Sequence, residues 1–336
     1  MKKNAVLLIN LGTPDDCNPK AVRRYLREFL NDPRVIDLPG IIRWTLVNML
    51  IVPFRHKKTT TAYKKIWLDT GSPLLTFSQQ MRKGLADRLG SDYHVELGMR
   101  YGNPSIEHAF EKIRDYESIT VIPLFPQYSS AANGSATEKL LSYAAREWNI
   151  PDLRIISDFY NHAGFIRSVA ETARKTINDT KDKFILFSYH GLPERHISKS
   201  GCRIQCNKLD TCPNVDYRNR FCYRAQCYAT TRLVAAELGL DKDQYTVAFQ
   251  SRLGRTPWIR PYTDLILPEL IHKGIRDIAI ISPSFVADCL ETLEEIDIRT
   301  REQWLALGGT GFTYIPCLNN SETWISALED MVRNNR

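Results

Sequence analysis

The sequence predicts an α/β protein made of two similar doubly wound (Rossmann-like) domains, each around a mainly four-stranded parallel sheet. Three observations predict it. Short apolar runs of strand length alternate with longer stretches of helical periodicity along all 336 residues. The runs stop at Gly, Pro or polar residues, as strands entering turns do. The alternation completes four units and then starts again, and four β/α units are a natural domain.

The first strand expected is Ala5-Val6-Leu7-Leu8-Ile9-Asn10, ending in Leu11-Gly12-Thr13-Pro14. Helical periodicity follows over residues 20–30 and 76–89. A strand at 93–99 ends in Arg100-Tyr101. After a helix at 105–113, a strand at 119–125 ends in Pro126-Gln127-Tyr128-Ser129, and a helix at 137–148 leads to a strand at 153–157. A helix at 162–177 crosses to the second half. There the strands fall at 183–189, 245–249, 275–281 and 312–315, with helices at 223–238, 262–272, 289–305 and 321–332. The expected division is 1–160 for the N-terminal domain and 161–320 for the C-terminal domain, which contains a cysteine-rich insertion at 201–222. A C-terminal helix occupies 321–336. No sequence repeat relates the halves.

In open parallel sheets ligands bind beyond the carboxyl ends of the strands. The unusual polar residues sit there: Arg100, Tyr101, Gln127, Tyr128, His190, Gln250, Ser251 and the turn before Glu291. They come from both halves, which predicts an active-site cleft between the domains. Leu11, Tyr63, Trp258 and Phe285 each read singly as core. Together they can wall a slot for a planar apolar molecule.

Composition narrows the classes. The hydrophobic share of 43% and charged share of 25% are those of a soluble globular chain. A net charge of +7 suits an anionic ligand or lipid surface and is too modest to argue for nucleic acid. Neither G-x-G-x-x-G nor G-x-x-x-x-G-K-[ST] occurs, which argues against a nucleotide cofactor. The N-terminus lacks the long apolar core of a secretory signal, so the expected location is the cytoplasm. Residues 38–54 are apolar but too short to span a bilayer. On composition they read as a buried helix. Followed by Arg55-His56-Lys57-Lys58, they also read as a lip (38–58) in peripheral contact with a membrane or a flat apolar ligand.

Three features carry chemistry. His190 ends the apolar run Phe184-Ile185-Leu186-Phe187-Ser188-Tyr189 and is followed by Gly191, which frees the backbone to turn. Imidazole suits both proton transfer and metal ligation. In Asp288-Cys289-Leu290-Glu291-Thr292-Leu293-Glu294-Glu295, a helix would stack Asp288, Glu291 and Glu295 on one face. Such a stripe reads either as acids favoured near a helix N-terminus or as a path for a hard or borderline dication such as Fe²⁺. Cys202, Cys206, Cys212, Cys222 and Cys227 place five of the eight cysteines within 26 residues. Their spacing is neither a zinc ribbon nor C-x-x-C. An iron–sulfur cluster, a structural zinc and free thiols all remain open on spacing.

Taken in order, several stretches resemble the ferrochelatase family over nearly the whole chain. They are Leu7 to Pro14, Thr70-Gly71-Ser72-Pro73-Leu74, Met99-Arg100-Tyr101, Pro123 to Ser129, Ser188-Tyr189-His190-Gly191-Leu192-Pro193, Gln250-Ser251-Arg252-Leu253-Gly254 and Asp288 to Glu295. The resemblance implies a lyase of the last steps of haem biosynthesis. It inserts Fe²⁺ into protoporphyrin IX or coproporphyrin III and releases two pyrrole protons. It implies His190 and Glu291 as the facing catalytic pair, with Glu295 and Asp288 continuing an acidic ridge for the substrate metal. Arg100, Tyr101 and Leu11 then lie on the opposite wall. Many members carry His where this chain has Cys289.

The cysteine segment adds about 20 residues to the simplest members of the family. Some members hold a [2Fe–2S] cluster. By that alignment Cys202, Cys206, Cys212 and Cys222 are the ligands, with Cys227 as fifth candidate. Porphyrin and haem are the implied partners, and the chain reads equally as monomer or homodimer. A cobalt chelatase acting on a corrin precursor and a tetrapyrrole carrier without turnover are the rival functions.

Overall fold

The computed structural model describes residues 3–177, 183–201, 212–252, 254 and 256–334. Two compact units emerge. The first comprises residues 1–125, 129–158 and 328–336, and the second 126–128 and 159–327.

The first unit is built on β1 (Asn4–Gly12), β2 (Tyr93–Tyr101), β3 (Ser118–Pro123) and β4 (Asp152–Ile155). All pairings are parallel, in the order β2-β1-β3-β4. The apolar residues Ala5 to Ile9 of β1 are all buried, because helices cover both faces of a parallel sheet. Leu7, Ile9, Ile119 and Val121 pack against Phe110, Ile113 and Leu140 of the covering helices. The close approach of β1 and β2 explains Gly12. Its φ is +110°, and a Cβ there would lie 1.7 Å from the Tyr101 carbonyl oxygen.

The second unit repeats the plan with β5 (Phe184–His190), β6 (Tyr245–Gln250), β7 (Asp277–Ile281) and β8 (Gly311–Tyr314). The order is β6-β5-β7-β8, again all parallel. Leu186, Ala248, Ile278 and Ile280 pack against Leu267, Leu270, Ile296 and Trp304. Each of the Leu and Ile side chains contributes about 1.5–3 kcal/mol on burial. With the first strand flanked by the second and third, the strand order reverses beside β5. That is where doubly wound sheets open a crevice at their carboxyl ends.

Residues 40–66 correct one expectation. They form a nearly unbroken helix, Gly40–Thr45, a π-helical turn Leu46–Ile51, and Val52–Ile66. Val47 and Val52 face the core, but Ile41 is 85% and Phe54 80% exposed, and Ile42, Trp44, Met49 and Leu50 are more than half exposed. The buried-helix reading fails because its apolar side chains occur all around the helix while only a narrow stripe meets the core. No helix among the described residues is long and apolar enough to cross a membrane.

Candidate active site

In the second unit the ends of β5 and β6 lie side by side, with His190 paired to Gln250. Gly191 is explained here by close approach, not by a positive φ. Its N–H donates to the Gln250 carbonyl at 2.7 Å, and a Cβ would stand 2.7 Å from that oxygen and 3.2 Å from the Trp258 ring. His190 Nδ1 lies 2.6 Å from the Gly191 carbonyl oxygen. A carbonyl only accepts, so Nδ1 carries the proton and the neutral ring keeps its lone pair on Nε2. The half-buried imidazole rests edge-on against Phe285, with ring centroids 6.2 Å apart.

The acids come from a π-helix, Leu290–Thr300. Its i→i+5 hydrogen bonding widens each turn, and such segments gather at functional sites. Glu291 and Glu295, four residues apart, fall close together on one side. The Gln250 amide links strand and helix. Its Oε1 accepts from Ser188 Oγ at 2.7 Å, and its Nε2 donates to the Glu291 carbonyl at 2.8 Å. Glu295 is held by Ser251, whose N–H donates to Oε1 at 3.0 Å and whose hydroxyl donates to Oε2. Ser251 pays a conformational cost for this contact, with a φ of +66°.

Burial raises the Glu295 pKa above its ordinary value, against the opposing pull of Ser251, Arg299 and His190, while Glu291 adds to the rise. The carboxylate is therefore within electrostatic reach of both His190 and Glu291. Cys289 caps the π-helix, and burial, helped by the Glu291 charge, pushes its thiol well up, so it is neutral. Among the described residues, no three of His, Cys, Asp and Glu close on one point as a metal cage does.

Asp288 departs from the expected ridge. It precedes the π-helix, and its buried carboxylate accepts from Thr292 Oγ1, the Tyr314 hydroxyl, the Cys317 N–H and Asn319 Nδ2. With its lone pairs so used it is a structural anchor and not part of the acidic row. Gln127 and Gln250 are also buried. Gln127 donates to Thr230 Oγ1 at 3.0 Å, so neither glutamine reaches out to a ligand as expected. Tyr128 is half-buried and packs against Phe221, the ring centroids 5.1 Å apart and the planes tilted by 59°. Ser251, Trp258 and Phe285 remain half-buried around His190.

In the first unit, Arg100 and Tyr101 converge on a buried carboxylate. Asp32 Oδ2 accepts from Arg100 Nη2 at 2.5 Å, from the Tyr101 hydroxyl at 2.9 Å and from Ser135 Oγ at 2.5 Å. Tyr101 is fully buried and its phenol is pushed up by that burial, which removes it from any ligand wall. Tyr63 is likewise buried, edge-on to Trp67. Leu11 and Arg100 stay half-buried. Sequence reasoning missed Asp32, which follows a helix and lies in no notable spacing, and Ser284, which lies in the turn ending the strand at 275–281 but whose partner is the backbone of His190.

Of the cysteines, Cys202 and Cys206 lie outside the described residues. Cys212 is buried, and its Sγ accepts from Arg224 Nη1 at 2.9 Å. Cys222 is fully buried at the N-cap of the helix Tyr223–Leu238, and Cys227 is fully buried inside that helix, its thiol pushed well up by burial.

Comparison with known proteins agrees with this architecture. The family model described as Ferrochelatase matches residues 3–336. A ferrochelatase of Legionella pneumophila (strain Lens) is 54% identical over 331 residues, covering 98% of each chain. One of Coxiella burnetii (strain CbuK_Q154) is 47% identical over 334 residues, covering 98% of this chain and 93% of that one. Among solved structures, SirB from Bacillus subtilis with Fe³⁺ shares the fold at a TM-score of 0.56 and 12% identity, over 98% of this chain and 94% of its own.

The state of Glu295 is measurable. An acid whose pKa is raised on folding costs stability as pH climbs from its ordinary value of 4.5 through its folded value. Glu295→Gln escapes that loss. Its thermal midpoint is expected to gain on wild type as pH rises above 4.5. A difference that stays flat or moves the other way over that range removes the buried-acid description.

Proposed function

The chain belongs to the ferrochelatase family, and we infer from that membership and from its relatives that it is a lyase of haem biosynthesis. It inserts Fe²⁺ into a free-base porphyrin, forming haem and releasing two protons. The observation that carries the placement of the chemistry is the pairing of His190 with Gln250, whose amide holds the Glu291 carbonyl.

Metallation removes two pyrrole protons and seats a dication in a rigid plane. With Nδ1 committed to the Gly191 carbonyl, Nε2 of His190 is the atom that accepts a pyrrole proton or holds the incoming metal. Glu291, half-exposed beside it, supplies a carboxylate for the metal or the second proton. Glu295 stands behind as a reserve of negative charge whose ionisation is opposed by burial. An open set of donors suits a metal that must be passed on, since a closed cage would retain it. Phe285 and Trp258 offer apolar surface beside His190 for a macrocycle. General-base catalysis contributes about 10²–10⁴-fold. His190→Ala is therefore expected to reduce haem formation from protoporphyrin IX or coproporphyrin III by at least about 10²-fold, with its circular dichroism unchanged. A folded, substantially active variant removes His190 from the reaction.

The cysteine segment is read as the seat of a [2Fe–2S] cluster held by Cys202, Cys206, Cys212 and Cys222. The described half of that set fits such a group: two buried sulfurs, one taking a hydrogen bond from the guanidinium of Arg224, which is itself buried. A cluster bound by four thiolates is net negative, and a buried cation beside one of them offsets that charge. When bound, the cluster supplies a one-electron centre. Protein purified without oxygen is expected to be coloured, with two irons per chain beyond any substrate metal. Colourless protein, or protein carrying zinc there, overturns this assignment.

A further inference from the structure

The peptide of His190 is held by side chains where the sheet has ended. Along β5 the N–H groups of Ile185 and Gly191 donate towards β6. By the alternation of a strand, the N–H and C=O of His190 point the other way, towards β7. But β7 stops at Ile281, opposite Phe187, three residues short of His190. The ladder therefore offers His190 nothing on that side, and a buried backbone group left unpaired is costly. Two side chains fill the gap. Ser284, in the turn after β7, accepts the His190 N–H on Oγ at 3.1 Å. Tyr223, the first residue of the helix Tyr223–Leu238, donates its hydroxyl to the His190 carbonyl at 2.8 Å. The two side chains thus hold His190 from the same side, one at its N–H and the other at its C=O.

We propose that Tyr223 and Ser284 are positioning residues for the reaction, a two-part clamp that fixes the His190 peptide and thereby the aim of its imidazole. The proposal rests on the reading of His190 as the reacting imidazole. Both act on the backbone from which the ring projects. The clamp begins one residue after Cys222, so it is also where the cysteine-rich segment rejoins the reaction centre. Ser284 supplies an acceptor that a residue without a hydroxyl could not.

Steady-state kinetics of Fe²⁺ insertion on the full chain tests this. Misplacement of a reacting group by about 1 Å can cost up to about 10²-fold. Tyr223→Phe and Ser284→Ala are each expected to lower kcat about tenfold, with KM for porphyrin and for Fe²⁺ within about twofold of wild type. Because the two hold the backbone of one residue, the double variant is expected to fall no more than about twofold below the poorer single. Tyr228→Phe, on the same helix but with its hydroxyl on Arg224, is expected to keep wild-type kcat. A single variant with near-wild-type kcat, a loss confined to KM, or losses that multiply in the double variant overturns the clamp. If Tyr223→Phe does not fold, Ser284→Ala decides the matter alone. An inactive His190→Ala beside fully active clamp variants sinks only this proposal, whereas an active His190→Ala sinks the reading on which it stands.

Discussion

The buried amide of Gln250 joins three elements of the second unit. Its backbone pairs with His190 across the β5–β6 ladder, its oxygen accepts from Ser188 on β5, and its nitrogen donates to the Glu291 carbonyl on the π-helix. Each of these bonds is worth about 0.5–1.5 kcal/mol net, but leaving the amide unpaired in the interior costs more. The penalty for breaking the arrangement, more than its intrinsic strength, keeps the helix registered against the strand ends. The imidazole and the acids depend on that register, since they come from segments about one hundred residues apart in the chain.

Charge is handled differently at the two carboxylates behind the site. Asp288 spends its lone pairs on Tyr314, Thr292, Cys317 and Asn319, and so anchors the entry to the π-helix. Glu295 has fewer partners, chiefly Ser251 and Arg299, and burial presses it towards the neutral form. A carboxyl poised in this way takes up positive charge more readily than one already satisfied. The contrast separates a satisfied carboxylate from a strained one within a single acidic stretch.

Much of this was legible in the sequence. The buried runs of β1, β5 and β7 declare a parallel sheet by their apolar content, and His190 lies at the strand end where a doubly wound fold presents its ligands. What could not be read was direction. Tyr101 and Gln127 also sit at strand ends, yet tertiary packing turns them inward, onto Asp32 and Thr230. The acidic stretch reads as an ordinary helix from residue 289, whereas Cys289 caps a helix that starts at Leu290 and whose π-type bonding resets the spacing of its acids. Residues 40–54 show the same limit: apolar composition signals burial, but the helix they form has too narrow a stripe against the core to bury them all.

The pairing of His190 with Glu291 is tested most directly by anomalous X-ray diffraction from crystals of the protein grown with Co²⁺. A peak within bonding distance of His190 Nε2 and a Glu291 carboxylate oxygen, absent from crystals of a His190→Ala variant, is the result expected. A metal bound elsewhere, with both side chains free of it, contradicts the account.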